Sequence, residues 1–266
     1  MSKFLKIFEV SVLNRFEYRL NSFMWLLYSF IPTLASMAVW NTVYRERSYN
    51  AFGYTNNEMI TYYFIMLIVS NLLKAGYDYH GVADSIKYGS INQFLVRPYD
   101  FMKYKFIYSL PENVIFIFVG IIPLIVLGVI LRSSITLEFN YSIVIFFVIA
   151  LVLGYLIQFL ILFSLSTCAF FMHSITSLFM TLDILKNIVS GQVFPLSILP
   201  KPIFKILQYS PFQYLAFYPV GILQGRYEQK EMVMQSLVGF LWILILFIFS
   251  RIMWKKGLAK YSAFGG

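Results

Sequence analysis

The sequence predicts an all-α polytopic membrane protein with six transmembrane helices. Hydrophobic residues make up 59% of the 266 and charged residues only 12%, where soluble domains carry about 25% charged. The apolar residues are gathered into long uncharged runs: Leu20–Tyr44, Val114–Leu131, Phe139–Leu182 and Met232–Ser250. A helix crosses the hydrocarbon core with about 20 residues, so the third run holds two spans and a tight turn. These runs are apolar on every side, which excludes the polar/apolar alternation of a membrane β-barrel.

Residues 3–18 place Phe4, Leu5, Phe8, Val12 and Phe16 on one helical face and Lys3, Lys6 and Glu9 elsewhere, the pattern of a helix lying in the headgroup plane. Charges at Glu9 and Glu17, with no small-residue cleavage site, argue against a cleavable signal peptide. The spans are expected at about 21–44, with Pro32 as a kink, 58–74, 106–131, 141–168, 174–194 and 232–254. Between the last two, residues 195–225 are apolar but interrupted by Pro195, Pro200, Pro202, Pro211 and Pro219. Two short helices, about 201–209 and 212–224, fit better than one span. Irregular backbone at membrane depth must be shielded by protein or water, a demand that a re-entrant hairpin meets.

Orientation follows from basic residues. Of the 21 Lys and Arg, thirteen fall on the side of the N-terminus, seven on the other, and Lys186 within a span. The bias puts both termini, and the polar island 75–105, in the cytoplasm, and the proline-rich hairpin outside. The net charge of +9 is accounted for by this asymmetry rather than by nucleic-acid binding. A single cysteine, Cys168, excludes an intrachain disulfide and a cysteine-rich metal site.

The island has local shape. Val82 and Ile86 form an apolar stripe on a short helix, and Gly89 can close it in the left-handed conformation. Ser90 and Gln93 match a capping box opening a second short helix with Ile91, Phe94 and Leu95 on its apolar face. Pro98 disfavours helix at Arg97 and stops it.

The stretch Gly89-Ser-Ile-Asn-Gln-Phe-Leu-Val-Arg-Pro98 resembles the G-x-[IL]-x-x-x-L-x-[RK]-P segment of ABC-2-type permeases, the membrane subunits of one class of ATP-binding-cassette exporters. Gly191-Gln-Val-Phe-Pro195, Leu199-Pro200, Pro211-Phe-Gln-Tyr214 and Gly221-Ile-Leu-Gln-Gly225 are similar to that family as well. So is the layout, over nearly the whole chain, with the branch of small drug- and antibiotic-export permeases closest in character. The resemblance implies the type V exporter fold in a multi-pass protein of the bacterial cell membrane. It makes the island a coupling helix seated on cytoplasmic ABC ATPase subunits, with Asp84, Ile86, Lys87, Tyr88, Gly89 and Ile91 at the contact. Arg97 either joins that contact or anchors a headgroup. It further implies a second copy or a paralogous permease as dimer partner, and ATP with magnesium on the ATPase. No cofactor is expected in this chain: Gly76–Gly81 has phosphate-loop glycine spacing, but Val82 and Ala83 replace the required Lys and Ser or Thr.

Asp183, Lys186 and Asn187 share one face of the fifth span. Intramembrane charges face protein or a water-filled path, so this face is expected on the translocation path or dimer interface, with an internal ion pair as the simpler role. Glu112 is a candidate gate or substrate contact, or a carboxylate reaching the inner headgroups. Asn71 and Gln158 are expected to hydrogen-bond between helices. The 28 Phe and 20 Tyr are explained by lipid-facing and interfacial positions. His80 and His173 lie apart, without the H-E-x-x-H of a zinc peptidase. An ion-driven secondary transporter would show paired broken helices in an internal repeat; only one proline-rich hairpin is present. An intramembrane enzyme would need clustered nucleophiles, acids and bases that the sequence lacks.

Overall fold

The computed structural model describes residues 3–17, 19–46, 53–73, 79–97, 99–137, 140–172 and 175–261. The stretch 74–78, Pro98 and His173 lie outside these, as do the side chains of His80 and Glu112. Every regular element among the described residues is helical: α1 Lys3–Glu17, α2 Arg19–Glu46, α3 Asn56–Leu72, α4 Tyr79–Lys87, α5 Asn92–Leu95, α6 Phe101–Ser109, α7 Pro111–Ile130, α8 Tyr141–Thr167, α9 Thr176–Val189, α10 Lys201–Leu207, α11 Phe217–Leu223 and α12 Gln229–Lys260. Three segments are long and apolar enough to cross a membrane: Leu26–Arg45, Tyr141–Phe170 and Gln229–Lys260.

Helix starts follow from local chemistry. Thr55 and Glu58 cap α3 reciprocally, the Glu58 carboxylate accepting from Thr55 N–H at 2.7 Å and the Thr55 hydroxyl from Glu58 N–H at 3.2 Å. Glu228 and Glu231 do the same for α12. Pro32 sits inside an unbroken α2. The segment expected to begin at 106 begins earlier, at Phe101, because Asp100 accepts the Lys103 N–H and caps α6. Leu110 keeps helical dihedrals and joins α6 to α7 at Pro111. The helix expected over 174–194 ends at Val189, where the chain reverses through Gly191 at φ +89°.

The core lies along α3, α8 and α12. Nearly all of α3 is buried, including its polar Thr61 and Asn71. α8 and α12 form the most extensive helix pair, and a glycine on each lets Tyr214 of the proline-rich segment pack against them. A Cβ at Gly154 of α8 would collide with the Tyr214 carbonyl, and one at Gly239 of α12 would lie 2.8 Å from the Tyr214 ring. Ser164 and Ser250 close the far end of the pair with a hydroxyl–hydroxyl bond of 2.6 Å. α1 packs on α6 and α7, and α2 on α3 and α7.

The proline-rich segment folds as short pieces: the 3-10 turns Leu196–Ile198 and Pro211–Leu215 and the helices α10 and α11. α10 is largely exposed. The 3-10 turn Pro211–Leu215 and α11 are nearly fully buried against α8 and α3. Tyrosine hydroxyls tie this cap in place. Tyr62 donates to Gly191 O at 2.6 Å, Tyr63 to Val193 O at 2.7 Å, Tyr214 to Gln235 O at 2.6 Å and Tyr218 to Met232 O at 2.9 Å. Arg226 lies 3.5 Å above the Tyr54 ring and 3.5 Å from the Glu58 carboxylate. The helix 56–72, the hairpin and the start of α12 are thereby locked at one end of the bundle.

Candidate functional site

At the opposite end, α4 is two-faced. Val82, Ala83 and Ile86 are buried against α8 and the 3-10 turn that follows it. Asp84, Lys87 and Tyr88 point away, Tyr88 being 71% exposed. The Lys87 ammonium lies 5.4 Å from the Tyr88 ring centroid, which keeps both side chains over one patch.

Gly89, at φ +77°, reverses the chain after α4. The capping box expected at Ser90 and Gln93 does not form. Ile91 already has helical dihedrals, φ −60° and ψ −27°, and its N–H returns to Ser85 O at 3.0 Å. Ile91 rather than Ser90 stands at the N-cap, and it has no side-chain oxygen to cap with. Ile86 and Ile91, expected at the partner contact, are instead buried and brace the turn from inside. Leu95, expected on the apolar face, is exposed with Val96 and Arg97, Val96 at 83%.

Beyond α5 the inner face becomes aromatic. Phe94 meets Phe101 at 5.3 Å and Tyr104 at 5.1 Å. Phe101 stacks on Trp254 of α12 at 5.0 Å with an interplanar angle of 11°. Trp254 also contacts Phe163 of α8 and Phe170 beyond it, both at 5.5 Å. The Arg251 guanidinium bonds the Asp100 carboxylate at 2.5 Å. Burial pushes the Asp100 carboxyl up, but the Lys103 N–H and the Arg251 guanidinium outweigh it, and the group sits below the ordinary carboxylate range. Sequence reasoning missed both the Asp100–Arg251 pair and Trp254. An Asp just ahead of a helical run is a readable cap signal, but its partner lies 151 residues away.

The element presents an exposed outer patch of Asp84, Lys87, Tyr88, Val96 and Arg97, joined through an apolar and aromatic inner face to α8 and α12. Among the described residues no group of three or more His, Cys, Asp or Glu gathers.

The other expected residues fall elsewhere. Lys186 and Asp183 pair at 2.6 Å on α9. Lys186 is 15% exposed and Asp183 59%, so this chain alone does not cover that face. The Asn187 carbonyl takes the Gln192 N–H at 3.0 Å and helps end the helix. Asn71 joins α3 to α2, donating to Ser29 Oγ at 3.1 Å. Gln158 differs from expectation: its side-chain carbonyl is buried with no partner among the described residues.

Residues 30–265 match the family described as ABC-2 family transporter protein. No curated protein matches the chain at a significant level. With nearly its whole length matched, the chain belongs to the ABC-2 transporter family as a membrane-embedded permease, and membership implies an ABC ATPase subunit as partner.

Proposed function

From membership of the ABC-2 transporter family, we propose that this chain is the permease subunit of an exporter whose ATP hydrolysis takes place on separate cytoplasmic ATPase subunits. The observation that carries the reading is the two-faced α4–Gly89–α5 element. Its outer patch suits a protein partner, and its inner face is built onto α8 and α12, the most extensive helix pair of the bundle. A push on Lys87 or Tyr88 is passed to α8 through Val82 and Ile86, and to α12 through Phe94, Phe101 and Trp254. Close-packed side chains transmit such displacements because they have little room to compress.

In this reading the six spans are α2, α3, α6 with α7, α8, α9 and α12, α1 lies in the headgroup plane, and both termini are cytoplasmic. α3 and α9, with 17 and 14 residues, rise only about 25 and 21 Å at 1.5 Å per residue. The buried hairpin residues Pro211–Ile222 complete the outer half of the bundle where these helices stop short. The uncovered face of α9, with Asp183, faces a second copy or a paralogous permease, and the path runs between the two. The cargo is amphipathic: a drug, a peptide antibiotic or a lipid-linked molecule.

Co-expression with the ATPase encoded beside it tests the reading. The two proteins should co-purify, and Lys87→Glu or Gly89→Glu should lower assembly or transport-coupled ATP hydrolysis while membrane insertion persists. Absence of any complex with the native chain would remove the proposal. Unchanged coupling in both variants would move the contact away from α4.

A further inference from the structure

A cavity of about 570 Å³ opens between α6, α8 and α12, a size within the usual range for ligand sites. Its walls are apolar: Phe106, Leu156, Phe159, Ile243 and Phe247 among others. One end is charged, with Lys103, Arg251 and Asp100. The charged end lies where the uncharged run of α12 stops, since Met232–Ser250 carries no charge and Arg251 follows it. From Arg251 back to Ile243 the helix rises about 12 Å, so the groove runs from the headgroup level into the hydrocarbon.

The charges do not cancel. Asp100 neutralises Arg251, while the Lys103 ammonium makes no ion pair among the described residues. Basic pockets between membrane helices suit anionic headgroups, whereas a neutral headgroup gains nothing from the surplus cation. We propose that this groove is a binding site for an anionic membrane phospholipid, one acyl chain lying between α6, α8 and α12 and the phosphate resting on Lys103 and Arg251. The site is separate from the α4 patch and does not rest on the transport reading.

The test is native mass spectrometry of the full chain in detergent with phosphatidylglycerol or phosphatidylcholine of matched acyl chains. One surplus cation near the headgroup predicts a preference of about fivefold for phosphatidylglycerol. Lys103→Gln, which leaves the Asp100–Arg251 pair intact, should erase the preference. Leu156→Trp should displace both lipids by filling the groove, and Lys230→Gln, at the far end of α12, should change nothing. Equal binding of the two lipids by the native chain, or an undiminished preference in Lys103→Gln, would overturn the proposal. So would full competition by inorganic phosphate, which would mark a free-anion site, or loss of the cavity to a dimer contact, seen as lipid binding only by monomer.

Discussion

The two ends of this bundle are held by different physics. At the hairpin end, tyrosine hydroxyls and Arg226 bond backbone oxygens across long sequence separations: Tyr62 to Gly191, Tyr63 to Val193, Arg226 to Gly53. At the α4 end the elements meet mainly through rings and aliphatic side chains, with the Ser164–Ser250 bond and the Asp100–Arg251 ion pair beside them. Hydrogen bonds to backbone oxygens are directional and fix one geometry. Apolar and aromatic contacts are less directional and tolerate small shifts of one helix over another. In the exporter we propose, this division supplies one end that keeps its shape and one that can slide.

Trp254→Ala is the largest expected break in that comparison. The indole touches Phe101, Phe163 and Phe170, so its removal empties the point where α6, α8 and α12 meet. A loss of about 3–5 kcal/mol follows, read as a lowered unfolding midpoint in detergent. A loss below about 1 kcal/mol would mean that the α4 end does not depend on aromatic packing. Tyr62→Phe is its counterpart at the other end. It leaves the buried Gly191 carbonyl without its donor and should cost about 1–3 kcal/mol, whereas Tyr88→Phe on the exposed patch should cost nothing measurable. A smaller cost in Tyr62→Phe than in Tyr88→Phe would dissolve the distinction between the ends.

How much of this was legible beforehand differs between the two ends as well. The prolines of the hairpin forbid one continuous helix: Pro200 stands at the N-cap of α10 and Pro211 opens the 3-10 turn that follows. Its tyrosine bonds were not legible, since Tyr62 and Gly191 are 129 residues apart and nothing local marks the pairing. In the α4 end, the Val82/Ile86 stripe and the Gly89 reversal were legible from spacing and glycine alone. The Ser90 cap was misjudged because the helix starts at Asn92, which puts Ile91 and not Ser90 at the N-cap. The inward turn of Ile86 was implicit in the same stripe that defined the helix: a residue that packs α4 onto α8 cannot also face a partner. What the sequence could not show was Asp100 meeting Arg251, a contact that exists only once α6 and α12 are packed.

A smaller effect sharpens the hairpin end. Arg226 stacks on Tyr54 at 3.5 Å and reaches Glu58. Arg226→Ala should cost about 0.5–2 kcal/mol, and Arg226→Lys should recover only part of it, because the flat guanidinium that stacks on the ring is lost. Full recovery by Lys, measured by thermal unfolding, would reduce the contact to simple charge.

The smallest effect is set by pH and belongs to the α4 end. Asp100 has its carboxyl pKa lowered in the folded protein, so the folded state favours the carboxylate. Its stabilisation is fully present above the unfolded value, about 3.9, and is lost as pH falls through the lower folded value. Partial exposure of both partners limits the pair to about 1 kcal/mol or less. Asp100→Asn should therefore lower the unfolding midpoint slightly at pH 7 and merge with the native curve as pH drops below about 4. The hairpin-end variants Tyr62→Phe and Arg226→Ala leave the Asp100–Arg251 pair untouched and should not show this merging at the acid end. An Asp100→Asn offset that persists undiminished at the acid end would show that the carboxylate is not what joins α6 to α12. The α4 end would then be held by its rings alone.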